Sequence, residues 1–132
     1  INNSQHKHEI KLNITPDIWL PMDSISFSSI IINLFENAVK YSPENSLITI
    51  DLENKNGKIV FRISDEGIGI KEDEKKNIFQ KFYRVGSEDT RKTKGTGLGL
   101  YIVDYLVKQH DGIISLKDNA NKGSIFEAIF SS

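Results

Sequence analysis

A chain of 132 residues, 38% of them hydrophobic, is long enough for one domain around a single core. Its net charge of −1 gives no field that would gather nucleic acid or an anionic membrane. The strongest apolar run, Ile30 to Phe35, is far too short to span a bilayer and is interrupted by Asn33. The absence of cysteine removes disulfides and thiolate metal sites and is compatible with a reducing compartment. The chain opens at Ile1 with neither Met nor a signal-like segment, so we expect a piece of a longer protein.

Residues 1–8 are polar and read as a linker remnant. From Glu9 to Ile14, Ile10, Leu12 and Ile14 alternate with polar residues, the period of a half-buried strand. Thr15-Pro16-Asp17 is turn chemistry. A short extended piece over Ile18–Met22 is expected next, with Trp19 used for packing. Asp23 or Ser24 then caps a helix from about Ser26 to Tyr41, its core face formed by Ile30, Ile31, Leu34, Phe35 and Ala38. Ser42-Pro43-Glu44-Asn45 stops it.

Leu47–Asn54 and Lys58–Ser64 read as strands joined by an Asn56-Gly57 hairpin turn. A glycine-bearing loop, Asp65–Ile70, precedes a short helix expected over Glu72–Phe82, in which Phe79 and Phe82 serve chiefly as packing. Residues 83–96 lack apolar periodicity and carry Arg84, Arg91, Lys92 and Lys94, so they read as a mobile loop. Gly97–His110 is expected as a helix with Leu100, Val103, Leu106 and Val107 on one stripe. Ile113–Lys117 and Ser124–Phe130 close the chain as a hairpin around Asn121-Lys122-Gly123. The fold class expected is an α/β (α+β) two-layer sandwich, a mixed sheet of about five strands covered on one face by about three helices, in a single domain over residues 1–132.

Three segments carry chemistry. Asn33 and Asn37 are one helical turn apart on a common face, with Lys40 a turn beyond Asn37. Amide oxygens can ligate Mg²⁺, which prefers hard oxygen donors and keeps waters and substrate phosphates in its shell. Asp65 follows an apolar strand and precedes Gly67 and Gly69. Its carboxylate can accept from the exocyclic amine of adenine, a charged hydrogen bond of roughly 1.5–3 kcal/mol. Guanine offers an oxygen there, which an acceptor would leave unpaired. Gly95-Thr96-Gly97-Leu98-Gly99-Leu100 stands at a helix start, where backbone N–H groups and the helix dipole favour phosphate oxygens. It lacks the Gly-Lys-Ser/Thr of a Walker loop and is no Rossmann fingerprint. Taken singly, the segments have plainer readings: two exposed amides on a helix, a turn after a strand, and a glycine hinge. Their fixed order on one chain sets those readings aside. His6, His8 and His110 show no acid–base pattern, and His110 ends a helix where a cation suits the dipole.

In this order the segments resemble the N box, G1 box, F box and G2 box of the catalytic ATP-binding domain of sensor histidine kinases, and Lys122-Gly123-Ser124-Ile125-Phe126 resembles the last glycine box. The resemblance covers almost the whole chain and implies the Bergerat ATP-binding fold shared with gyrase-type ATPases. It implies Mg²⁺ and ATP as cofactors, with Asn37 as metal ligand, Asn33 assisting and Lys40 on phosphate. Tyr41 would lie beside the nucleoside and Asp65 would read adenine, with Gly67, Gly69, Ile70 and Phe82 also around the nucleotide. Residues 83–96 would be the ATP lid, bringing Arg84 and Lys94 to the terminal phosphates. Gly95, Thr96, Gly97, Leu98, Gly99 and Leu100 would form the phosphate wall. Asn37, Lys40 and Arg84 would be the catalytic set.

Gyrase-type ATPases, and the bacterial serine kinases that act on anti-sigma partners, carry a general-base Glu where this chain has Asn33, an amide without useful basicity. Glu36 is turned about 100° from Asn37 on an ideal helix. Phosphoryl transfer is therefore expected over hydrolysis. The helical dimerisation domain with its phospho-accepting histidine, expected upstream, is absent from this chain, which should not autophosphorylate alone. Further implied are a response regulator as partner, no nucleic-acid or direct membrane contact, a monomeric isolated domain, and a cytoplasmic position in a sensor that can be membrane-anchored. A non-catalytic ATP-sensing or partner-docking module and a gyrase-type ATPase are the rival readings. Within the domain the chain departs little: Asp111 stands where the family often has Gly, and Ser124 where Thr is common, and neither is expected to touch the site.

Overall fold

The computed structural model describes residues 8–80, 98–120 and 122–131. His6, Phe82, Arg84, Lys94, Gly95, Thr96, Gly97, Asn121 and the whole expected lid lie outside the described residues. The elements are β1 (Glu9–Ile14), α1 (Ser24–Tyr41), β2 (Leu47–Lys55), β3 (Lys58–Ser64), α2 (Glu72–Lys75), α3 (Gly99–Gln109), β4 (Ile113–Asp118) and β5 (Ser124–Ser131). They build a five-stranded sheet in the order β1-β2-β3-β5-β4. β1 and β2 run parallel and every other pair antiparallel. A parallel pair needs a crossover connection, and α1 supplies it.

Asp23 is the cap of α1, accepting from the Ser26 backbone N–H at 2.9 Å. Ile30, Leu34 and Ala38, one turn apart, are buried with Phe35, while Ile31 is partly buried against the same cluster. α3 contributes fully buried Val103 and Val107, flanked by Leu100 and Leu106. Alternation along the central strands delivers Ile59, Phe61 and Ile63 from β3 and Phe126, Ala128 and Phe130 from β5 to the same side. α1 packs on β3, α3 on β4, and the two helices on each other, so one face of the sheet is covered. At the end of α3, Asp111 takes φ +60°, the left-handed conformation that explains why glycine is common there. Asn56 and Gly57 both have positive φ, as a tight hairpin turn between β2 and β3 requires.

The opposite face carries an apolar row, Val60, Ile129 and Ile113, beside a charged cluster. Arg62 reaches Glu53 at 2.7 Å and Glu127 at 2.9 Å, and Lys117 meets the other oxygen of Glu127 at 3.2 Å. Burial pushes the Glu127 carboxyl up, but the bonds from Arg62 and Lys117 outweigh it and hold it below the usual carboxylate range.

Three expectations need correction. β1 is exposed along its whole length rather than half-buried: it is the outer strand, and the helices make their main contacts with β3 and β4. The extended piece expected over Ile18–Met22 is broken by bends at Pro21 and Met22, although Ile18, Leu20 and Met22 do pack against the core. Trp19, between them, points the other way and is 88% exposed rather than packed. The short helix expected within Glu72–Phe82 is present as α2, Glu72–Lys75; Asn77 then bonds back to Glu74 and Gln80 to Asn77 in tight turns. A short segment gains little from helix formation alone, and here packing decides: Ile78 is buried and Phe79 stands edge-on to Phe126 at 6.2 Å.

Candidate active site

The C-terminal half of α1 is met by two other segments, and the meeting points locate the site. At its far end, the Tyr41 carbonyl accepts from the Ile68 N–H at 3.3 Å, and a Cβ at Gly67 would stand 2.2 Å from that oxygen. Only glycine lets the Asp65–Ile70 loop press so closely onto the helix end. Two turns earlier, Asn33 faces the start of α3: a Cβ at Gly99 would lie 3.0 Å from Asn33 Oδ1. Asn33, Asn37 and Tyr41 are successive positions on one stripe of α1, so Asn37 lies midway between the Asp65 loop and the α3 start. The described parts of the three segments thus come together around Asn37.

Asp65 is 4% exposed. Its Oδ1 accepts from the Gly67 N–H at 2.8 Å and the Ser124 N–H at 3.2 Å. Its backbone N–H donates to the Ser124 carbonyl at 2.9 Å, and its own carbonyl accepts from Asn119 Nδ2 at 2.8 Å. Oδ2 has no donor among the described residues. Burial raises the carboxyl above its ordinary value, opposed by the bonds from Gly67 and Ser124. The result is a carboxylate fixed in orientation, with one oxygen left to accept. Ile70 is partly buried against the core beside this loop.

The metal-side residues differ. Asn37 is half-buried, and its amide has no hydrogen-bond partner among the described residues, as a ligand in waiting requires. Among the described residues no group of three or more His, Cys, Asp or Glu side chains could hold a metal. An amide oxygen is a donor type that suits a hard cation which also keeps substrate phosphates in its shell. Asn33 turns its Nδ2 back to the Ser29 carbonyl at 2.7 Å, which leaves its Oδ1 facing the α3 start. Lys40 is exposed one turn beyond Asn37. No side chain caps α3 at Leu98, next to Gly99 and Leu100.

Sequence reasoning missed Asn119 and Ser124. Ser124 acts through its backbone, which leaves no mark in side-chain identity. Asn119 sits in a hairpin where any polar residue passes for turn chemistry.

A family model described as "Histidine kinase-, DNA gyrase B-, and HSP90-like ATPase" matches residues 22–131. The chain belongs to this ATPase family. Among curated relatives it is similar to the sensor protein KdpD of Clostridium acetobutylicum, 40% identical over 91% of this chain. That match spans only 13% of KdpD's length. Among solved structures, the mycobacterial sensor histidine kinase MprB superposes with a TM-score of 0.82 at 27% identity, covering 95% of this chain and 82% of that one. Full-length ShkA in complex with AMPPNP gives a TM-score of 0.75 at 26% identity, covering 93% of this chain and 25% of that one. Within the family, this is an ATPase catalytic domain of the sensor histidine kinase type.

Proposed function

We propose that this ATPase domain binds MgATP around Asn37 and donates the γ-phosphate to a histidine on a separate helical dimerisation domain. The observation that carries the reading is Asp65: a buried carboxylate whose Oδ1 is fixed by two backbone N–H groups and whose Oδ2 faces no protein donor among the described residues. Such an oxygen suits the exocyclic amine of adenine and repels the C6 oxygen of guanine. Gly67, Gly69 and Ile70 border the base, Tyr41 the nucleoside. Asn37 holds the cation with Asn33 assisting, Lys40 meets phosphate, and Leu98, Gly99 and Leu100 present the α3 start to the phosphates. Bound Mg²⁺ supplies neutralisation of phosphate charge. Residues 83–96 are the ATP lid, Arg84 and Lys94 its phosphate contacts, and Phe82 and Gly95–Gly97 complete the walls.

Transfer then rests on positioning and charge, with the acceptor nitrogen bonding to the γ-phosphorus as the bond to ADP breaks. Asn33 offers no base to activate water: it is an amide, and its NH₂ group is committed to Ser29. The parent is a two-component sensor whose phosphohistidine passes its phosphoryl group to a response regulator, with this domain on the cytoplasmic side.

The test mixes this chain with its separated dimerisation domain, Mg²⁺ and ATP labelled at the γ-phosphate. Label on a histidine is the expected result. Tight binding without transfer would instead mark an ATP-sensing module, and steady release of free phosphate a gyrase-like ATPase.

A further inference from the structure

Asp65 does not hold itself in place; the β4–β5 hairpin holds it. Of its four anchor points, three come from that hairpin: Ser124 O on the backbone N–H, Ser124 N–H on Oδ1, and Asn119 Nδ2 on the carbonyl oxygen at 2.8 Å. The Asn119 bond is the one made by a side chain, and so the one that sequence can tune. Its other end is equally committed: Asn119 Oδ1 accepts from the Ala120 N–H at 2.8 Å, and the Asn119 N–H donates to Gly123 O at 3.1 Å. With its acceptor fixed in the turn, the Asn119 amide must present its donor outward, and the Asp65 carbonyl lies there. That carbonyl also abuts Gly123, where a Cβ would stand 2.0 Å from it. No large movement of the Asp65 backbone is possible without moving the hairpin.

We infer that Asn119 is a positioning residue for base recognition: through the Asp65 carbonyl it fixes where the Asp65 carboxylate stands, and thereby the preference for a 6-aminopurine over a 6-oxopurine. The inference rests on the proposed reading of Asp65 as the adenine acceptor.

Asn119→Asp separates this role from a structural one. The substitution keeps shape and the acceptor for the Ala120 N–H, so the turn survives, but it replaces the donor to Asp65 with a second acceptor. Calorimetric titration with ATP and with inosine triphosphate, which carries an oxygen at C6, reads the effect. In Asn119→Asp and Asn119→Ala, ATP affinity is expected to fall by about tenfold while inosine triphosphate changes by less than about twofold, so selectivity narrows. An ATP to inosine triphosphate ratio within about twofold of the unaltered chain in both variants overturns the inference. A readout on the unaltered chain covers the case of unfolded variants: the Asn119 side-chain amide resonances should move with adenosine and stay still with tripolyphosphate. Indifference to adenosine overturns the inference as well. If the unaltered chain itself fails to distinguish ATP from inosine triphosphate, the fault lies with the adenine reading of Asp65.

Discussion

The two ends of the proposed nucleotide cleft are built on different principles. On the base side, Asp65 is buried and bonded at its N–H, its carbonyl and one carboxylate oxygen, so a single atom is left to a ligand. On the metal and phosphate side, Asn37 is half-buried without a partner among the described residues, Lys40 is exposed, and α3 starts without a side-chain cap. The difference follows from what each side must recognise. Telling one purine from another needs a donor–acceptor pattern fixed to a fraction of an ångström in a dry place, since a mobile or hydrated acceptor would serve either base. A triphosphate with its cation is recognised largely by charge, which tolerates movement and water. Substitutions that shift the backbone on the base side should therefore disturb fold and binding together, a change at the one open carboxylate atom binding alone, and those on the phosphate side chemistry alone.

The largest expected effect tests the phosphate side. Asn37→Ala should lower metal-dependent transfer by about a thousandfold or more, as loss of a group positioning the reacting phosphate does. Because its amide bonds to no described residue, unfolding free energy should stay within about 0.5 kcal/mol of the unaltered chain. A large drop in melting temperature would show that Asn37 is a structural amide and break the comparison.

Next is Asp65→Asn. Both backbone donors aim at Oδ1, so the amide oxygen must take that place and the NH₂ group must point where Oδ2 stood. That sets donor against donor at the adenine amine, and ATP affinity should fall by about a hundredfold in titration calorimetry. Removing a buried charge should leave the empty domain at least as stable. Unchanged ATP binding would remove the base side from the cleft.

A smaller effect, on stability first, is expected of Gly123→Ala. Its φ of +100° and the 2.0 Å approach of a Cβ to the Asp65 carbonyl combine strain with a backbone clash. A cost of about 2–4 kcal/mol in chemical unfolding follows, with ATP affinity lost alongside. Loss of stability with binding intact would mean that the hairpin and Asp65 are not one unit.

Much of this was legible in the sequence because the relevant signals were local. The Asp23 cap, the α1 and α3 stripes and the Asn56-Gly57 turn each follow from neighbours in the chain, and each stands as expected. What escaped depends on distant partners. The alternation in β1 is real, but whether it is buried depends on the helical layer rather than on β1. Trp19 looks like core material by composition and is turned outward because Ile18 and Leu20 take the inward positions. Asp65 was recognisable from Asp-x-Gly-x-Gly, whereas its clamp comes from Asn119 and Ser124, more than fifty residues later.

The subtlest test sets two carboxylates against each other. Asp65 is raised by burial, so its ionised form costs stability above its folded pKa, and that cost is relieved as pH falls through this value. Glu127 is held low, net of its burial, by Arg62 and Lys117; its contribution is complete above its unfolded pKa and is lost as pH falls through the lower folded value. Protonating Asp65 should convert the proposed adenine acceptor to a hydroxyl without itself destabilising the sheet, whereas protonating Glu127 removes stability. Adenosine binding, chosen because it carries no phosphate to titrate, should therefore weaken along a pH profile separate from acid unfolding followed by circular dichroism. In Asp65→Asn the residual binding should lose this dependence. If binding and unfolding instead decline together in the unaltered chain, base recognition is governed by the fold as a whole and not by the one atom left open on Asp65.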